Sequence, residues 1–458
     1  MNIFTTMLTI HGYRLNKSNV DVDEIISKLT VKPADDYIQS QSEDTNFCVC
    51  LQSPKYLFVP KYFGLTHYGL PTYSNLHEIT KIDVGFSGSL LDNQQSPVDT
   101  FIEAAEDPLK MGGILQLPPG FGKTVIALYI ISKLQSKTLI VVHKEFLMNQ
   151  WKERIQQYLP TASVGIIKQN RIESDCDIVI ASLQSICMRS YDPCIFSKFG
   201  FLIVDECHHI GAQVFCRALM KLNFKYTLGL SATPNRKDGL SKVFKWFMGD
   251  IIYKIKKKKT VLTQIMIAPF SSTSEVYTRD FVLFNGRPNI AKMINNICEF
   301  DERTRHIGQV LNHVLKTEPT RNVIVLSDRR QHLNDIGKHI CEIEPTLTSE
   351  VGYYVGGMKP EQLSTSCTKR IILGTYNMVS EGFDLPKLDT LILATSKSDV
   401  EQSVGRIQRK HEYTEKDNVP LVVDIVDKLP MFERQAKKRQ TFFKRMGYTC
   451  IKYNNDIH

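Results

Sequence analysis

"GGILQLPPGFGKTVIALYIISKL", residues 112–134, sets an apolar run, a loop with two closely spaced glycines and an amphipathic stretch in immediate succession. The run predicts a buried strand and the apolar spacing of "VIALYIISKL" predicts a helix, so the loop joins a strand to a helix N-terminus. Such a junction turns successive backbone N–H groups toward one point and makes an anion nest. Gly120 and Gly122 permit the turn, with Pro119 and Phe121 as the neighbouring members of the loop. Lys123 supplies a mobile cation for the β- and γ-phosphates of a nucleotide, and Thr124 a hydroxyl for Mg²⁺. The strict GxxxxGK[ST] pattern has its first glycine where Leu117 stands, so the loop meets the pattern in part and its surroundings must decide.

About 80 residues further on, "FLIVDECHH" reads as an apolar strand ending in Asp205, Glu206, Cys207 and His208. A carboxylate at the C-terminal end of a buried parallel strand lies on the edge where α/β sheets bind ligands. There Asp205 can hold Mg²⁺ through water, and Glu206 can polarise the water that attacks a γ-phosphate. A single acid often does no more than end a strand; a pair downstream of a phosphate loop points to chemistry. His208 and His209 have no second ligand cluster at zinc spacing. His208 is assigned to coupling the nucleotide to the rest of the site, and His209 to packing.

Outward from this pair of motifs, apolar runs of four to six residues alternate with helical patterns: "KTLIVV", "EFLMNQWKERIQQYL", "SVGII", "CDIVIAS", "YTLGLSA". Continuous Ile/Leu/Val runs are what a parallel sheet covered on both faces needs. The rhythm lapses in a lysine- and loop-rich gap and resumes at "RNVIVLSD", "KRIILGTYN", "LDTLILATS" and "LVVDIVD". The expected architecture is α/β, two tandem parallel-sheet domains, over residues 86–255 and 316–458, joined by a connecting segment at 256–315 and ending in a basic tail. Residues 1–85 read differently. "TMLTIHGYRL", "FCVCLQ" and "KYLFVP" predict strands, and "DVDEIISKL" a helix that Asp21 and Glu24 begin. A small N-terminal α+β accessory domain is expected there, whose Tyr56, Phe58, Tyr62 and Phe63 either stack on nucleic-acid bases or form its core.

The 458 residues suggest roughly three folded units of about 150 residues each. With 42% hydrophobic and 23% charged residues the chain is an ordinary globular protein, which excludes disordered and fibrous classes. A formal net charge of +9 favours an anionic partner such as nucleic acid, although a solvated basic surface explains it as well. Part of that charge is clustered in "YKIKKKK", holding Lys254 and Lys256 to Lys259, and in "ERQAKKRQTFFKRMGY" near the end. The 11 cysteines include no CxxC pair, which predicts reduced thiols in an intracellular compartment. No signal-like start and no apolar run near the ~20 residues of a membrane span is present, so a soluble protein without a membrane partner is expected.

"LPPGFGKT", "DECH", "SATP" (Ser231 to Pro234), "GTYNMVSEGFDLP" and "QSVGRIQR" together resemble motifs I, II, III, V and VI of superfamily 2 helicases, in order, over about residues 86–427. In that family the loop begins A-x-x-G-x-G-K-T, so the absent first glycine is the family's own variation. The resemblance implies two RecA-like domains with ATP and Mg²⁺ bound in the cleft between them. It implies that Gln94, in "FSGSLLDNQ", reads the adenine edge, and that Asp384 contacts the nucleotide or the arginines. Arg406 and Arg409 correspond to the arginine finger and its neighbour, which in phosphoryl transfer contribute about 10³ to 10⁵ in rate. Three residues apart, the two are expected on one helix face. Ser231, Thr233 and Gln402 fall at coupling positions. His143 and Lys144 in "IVVHKEFLMNQW", Ser182 and Gln184 in "IASLQSI", and Thr375 and Ser380 fall at nucleic-acid contacts, while "NVIVLSDRRQHL" is similar to motif IV.

"SATPNRKDGL", "GFDLP" and "QSVGRIQR" resemble the branch holding XPB-type repair and transcription helicases and the transcript-release helicases of poxviruses and other large DNA viruses. Three functions are weighed. The first is a 3′ to 5′ DNA helicase or translocase, its polarity implied by the resemblance alone. The second is the same motor on RNA or a nascent transcript, with transcription machinery as a partner; the DECH form leans toward DNA. The third is a scaffold without turnover, against which the retained Lys123, Glu206, Arg406 and Arg409 weigh. A monomer is expected, in a host cytoplasm or virion if the chain is viral and in a nucleus if it is cellular.

Overall fold

The computed structural model describes every residue except 1–5, 32–45, 77–78, 119, 207–211, 233–240, 256–261, 285, 287, 381–382, 384, 409–417 and 454–458. The chain forms two compact units, Met1–Lys257 and Lys258–His458.

In the first unit an eight-stranded sheet runs in spatial order Arg171–Ile172, Val164–Lys168, Ile178–Ser182, Thr138–Val142, Phe201–Asp205, Tyr226–Ser231, Gly112–Gln116 and Ile251–Lys254. Every neighbouring pair is parallel except the first, which is an antiparallel edge. The apolar runs stay continuous because both faces are covered. Ile140, Val142, Phe201 and Ile203 pack with Val98, Phe101, Ile126, Ile130 and Trp151 on one face. Leu139, Val141, Leu202 and Val204 pack with Ile186, Phe215, Leu219 and Phe244 on the other.

Within the same unit, residues 6–74 build a second, five-stranded sheet, mostly antiparallel, with its own core of Leu8, Tyr13, Leu15, Ile25, Leu57, Tyr62 and Phe63. Its helix Val22–Leu29 is capped by Asp21, which accepts from the Glu24 N–H at 3.0 Å. Of the four aromatic residues, Tyr62 and Phe63 are core, buried on the helix Lys61–Tyr68, whereas Phe58 is half-buried against the large sheet's core and Tyr56 is half-buried under the Arg14 guanidinium at 4.4 Å. This sheet is fastened to the large one by buried Lys61, whose ammonium donates to Phe224 O (3.2 Å) and Lys225 O (2.7 Å), and by the Tyr62–Thr227 hydroxyl pair. "FCVCL" does not make one strand. It divides into Phe47–Cys48, paired with Thr30–Val31, and Leu51–Gln52, paired with Tyr56–Val59. The Cys48 and Cys50 sulfurs nevertheless meet at 3.2 Å.

The second unit is a seven-stranded, all-parallel sheet in the order Val351–Tyr354, Ile371–Thr375, Val323–Ser327, Thr390–Leu393, Leu421–Asp427, Gln264–Phe270 and Thr449–Lys452. One boundary differs from the expectation. Much of 256–315 is not a connection but part of this unit: Gln264–Phe270 pairs along its whole length with Leu421–Asp427, and the helix Asp301–Thr317 buries Ile307, Val310 and Leu311 in its core. The strand's partner lies some 150 residues downstream, and a period read in a short window cannot report it.

Candidate nucleotide and nucleic-acid site

Five adjacent strands of the first sheet end level with one another, as the pairs Ser231 with Gln116, Asp205 with Leu230 and Ser182 with Val142 show. The C-terminal edge of a parallel sheet is where such folds present ligands. The phosphate loop, the acidic pair, Ser231, His143, Lys144, Ser182 and Gln184 all follow those five strand ends.

The loop leaves Gly112–Gln116 with Leu117, which is fully buried and donates its N–H to Ser231 O at 3.0 Å. Leu117 thus continues the strand and fills the core, and the turn starts later. Gly120 (φ 78°) and Gly122 (φ 87°) take the left-handed region that a side chain resists. Gly122 caps the helix Lys123–Leu134, so Lys123 and Thr124 open its first turn. A Cβ on Gly122 would also lie 2.3 Å from the Gln94 side-chain nitrogen.

Gln94 makes a hydrogen bond at each end of its side-chain amide. Buried at the start of the helix Asp92–Glu106, it donates from Nε2 to Phe121 O at 2.9 Å and accepts the Leu91 N–H at Oε1, 3.1 Å. These two bonds brace the phosphate loop through Gln94.

The acidic pair is built from unequal parts. Asp205 ends its strand buried, and Trp151 Nε1 donates to its Oδ2 at 2.9 Å. Burial pushes the Asp205 carboxyl up to about 6, and the neighbouring Glu206 charge pushes the same way; Lys123 and the Trp151 hydrogen bond oppose both. Glu206 adopts φ 47°, a left-handed turn that costs on the order of 1 kcal/mol or more for a non-glycine residue. That turn swings its carboxylate onto Lys123, with Nζ to Oε1 at 2.5 Å. Trp151 escapes a reading of the sequence because its position on the amphipathic helix Glu145–Tyr158 says only that it faces inward.

Two observations test whether ATP and Mg²⁺ fit. The paired left-handed glycines at a helix N-terminus suit a polyphosphate. The Thr124 hydroxyl and a buried carboxylate are hard oxygen donors of the kind Mg²⁺ takes. The residues fit both.

Of the expected nucleic-acid contacts, His143 and Lys144 are half-buried directly after Thr138–Val142, and Ser182 is half-buried at the start of the helix Leu183–Met188, where Gln184 is exposed. Their two strands are neighbours, so the four share one stretch of edge. In the second unit Thr375 ends Ile371–Thr375 and Ser380 ends the helix Tyr376–Ser380. Gln402 lies on the helix Glu401–Val404. Arg406 does not lie on that helix. It stops at Val404, Gly405 caps it, and Arg406 follows in a turn, buried, with Nη1 donating to Phe383 O at 2.6 Å. Pro119, His208, Thr233, Asp384, Arg409 and the Lys256 to Lys259 run lie outside the described residues.

Comparisons with known proteins agree with this geometry. Residues 87–236 match the family described as "Type III restriction enzyme, res subunit". The chain is 35% identical over 463 residues to L396 of Acanthamoeba polyphaga mimivirus, by name an ATP-dependent RNA helicase, covering 99% of this chain and 88% of that one. It is 27% identical to the iridescent virus 6 helicase 161L over 80% of this chain and 83% of that protein. It is 26% identical to D10 of Escherichia phage T5, by name a helicase, over 93% of this chain and 95% of that protein. A sheet edge bearing phosphate loop, lysine and paired acids, in a chain that aligns end to end with such relatives, has one reading: the chain belongs to the superfamily 2 helicases.

Proposed function

We propose that the chain is an ATP-driven translocase that moves 3′ to 5′ on DNA. The observation that carries its ATP-driven part is the Lys123–Glu206 pair at 2.5 Å beside buried Asp205, next to a loop whose two left-handed glycines lead into a helix; the DNA track and the polarity rest on the motif resemblance. The loop N–H groups and Lys123 bind the β- and γ-phosphates. A polyphosphate that draws the Lys123 ammonium to itself releases Glu206 Oε1, which then accepts a proton from the attacking water as the bond to the γ-phosphorus breaks, giving ADP and inorganic phosphate. Thr124 and Asp205 would hold Mg²⁺, which would supply positive charge against the negative charge on the phosphoryl oxygens. Asp205 does this as the carboxylate, the form that the Trp151 N–H favours.

Arg406, with Arg409, contributes to the same step on the strength of the motif resemblance. Coupling has a physical route in the first unit: the Ser231 carbonyl holds the Leu117 N–H, so the end of one strand and the start of the phosphate loop move together. His208, Thr233 and Gln402 are assigned to coupling by the motif resemblance alone. His143, Lys144, Ser182, Gln184, Thr375 and Ser380 grip the strand by its backbone, which makes sequence preference weak.

A second reading keeps the motor and takes RNA as the track. The names of L396 and of QP509L from African swine fever virus, 26% identical over 74% of this chain, favour it. Steady-state ATP hydrolysis alone and with single-stranded DNA, duplex DNA and RNA separates the two. Stimulation by DNA alone supports the first, and by RNA alone the second. Lys123→Ala is expected to abolish hydrolysis while nucleic acid still binds; retained turnover refutes the reading of the site.

A further inference from the structure

The helix Pro430–Met446 carries a charge arrangement that neither the nucleotide site nor the strand contacts use. Arg434, Lys437, Lys438, Lys444 and Arg445 are all exposed and fall at i, i+3, i+4, i+10 and i+11, which places them on a single helical face. Phe432, Ala436, Arg439 and Phe443 are buried on the opposite face. Arg439 fixes the rotation: its Nε donates to Asp424 Oδ2 at 3.0 Å and its Nη1 to Ser396 Oγ at 2.9 Å and Lys397 O at 2.6 Å. The helix's one acid, Glu433, lies by Lys428 at 3.8 Å, and among the described residues the acid paired with the stripe is Glu401, 3.9 Å from Arg445.

The stripe runs about 16 Å along the helix axis, a length over which a duplex presents on the order of ten phosphates. It offers charge and little else. Phe442 is half-buried under the Arg445 guanidinium at 5.6 Å, so the stripe has no exposed ring on which an unpaired base would stack. A face of fixed cations without stacking partners suits nucleic acid whose bases are already paired.

We propose that this helix face docks the phosphate backbone of duplex nucleic acid, independent of sequence and separate from the residues that grip a single strand. The proposal rests on the reading of the chain as a nucleic-acid motor. The test is the full chain with Arg434→Gln, Lys437→Gln and Lys438→Gln together, its fold checked against the wild-type melting temperature. Binding of a blunt duplex DNA, a duplex RNA and a single strand of equal length is measured between 50 and 200 mM salt, the range over which counterion release is read. For a duplex, the slope of log K against log salt is expected to shrink by about 2 to 3, at roughly 0.9 for each phosphate that the variant no longer neutralises. The single-strand slope is expected to hold. An unchanged duplex slope, or an equal fall for both forms, overturns the proposal. The Lys437→Gln, Lys438→Gln double variant repeats the measurement should the triple melt early, with an expected change of about 2. Wild-type chain that binds neither form in a salt-dependent way sinks the motor reading itself, a result distinct from an unaltered variant.

Discussion

Two strands of this molecule end alike in sequence and differ in chemistry. "FLIVD" closes the first unit's strand on Asp205, and "LVVDIVD" carries Asp424 and Asp427 through the second unit's. All three carboxylates are buried. Asp427 takes Arg303 Nε at 2.5 Å and Nη2 at 2.8 Å, and Asp424 takes Arg439. Burial raises the Asp424 carboxyl while the Arg439 charge draws it down. Asp205 has no such fork. Its neighbouring cation, Lys123, is bonded to Glu206, and its own donor is the neutral Trp151 N–H. A guanidinium is planar, permanently charged and held in place, whereas a lysine on a flexible stem can leave for a better anion. The pairs in the second unit therefore fix a core, and the proposed exchange of Lys123 from Glu206 to a phosphate has no counterpart there.

That contrast can be broken most sharply by Glu206→Gln. Removing the proton acceptor but keeping its shape is expected to lower kcat by about 10² to 10⁴ with an unchanged melting temperature, read by steady-state hydrolysis beside thermal unfolding. Arg303→Met is expected to do the reverse. It leaves Asp427 buried without its cation and costs about 3 to 5 kcal/mol in chemical denaturation; an unchanged denaturation midpoint would place Arg303 outside the core's support. Adding Asp427→Asn to it should recover part of that stability.

Trp151→Phe sharpens the comparison at smaller scale. The indole N–H favours ionised Asp205, so its removal moves a carboxyl already near about 6 further upward. The acid limb of the pH–rate profile should then shift to higher pH by up to roughly one unit. A profile that falls in height without moving would make Trp151 a packing residue only. A pH dependence of stability is expected at Lys61. Burial, with the Lys225 charge, lowers its folded pKa to about 7, so between there and the ordinary lysine value the unfolded chain binds the proton that the folded chain gives up. Stability contributed by this group accordingly rises with pH from about 7 toward 10. Lys61→Met should flatten that rise in a series of melts.

How far the sequence reaches is seen best in single residues. Lys123, Asp205 and Glu206 are legible because their apolar flanks mark a strand end and a helix start, and position on a sheet edge follows from that alone. The brace that Gln94 gives the phosphate loop is not legible, since its amide meets Phe121 only after a helix and a strand have folded between them. Trp151 reaches Asp205 across 54 positions, and Lys61 reaches Phe224 across 163. Arg406 reads as helical with Arg409, yet Gly405 ends the helix before it.

The sequence by itself determined that there are two parallel sheets, because a strand covered on both faces must be apolar at every position and writes that demand locally. It determined the phosphate loop as well, because only glycine takes φ 78° and 87° there without strain. Only the tertiary structure decided that Gln264–Phe270 belongs to the second sheet, that the N-terminal sheet is fastened to the first, and which buried aspartates are paired with a guanidinium. The pattern of a chain records that a group is buried. What that group then does depends on the partner brought within a few ångströms from a distant part of the chain.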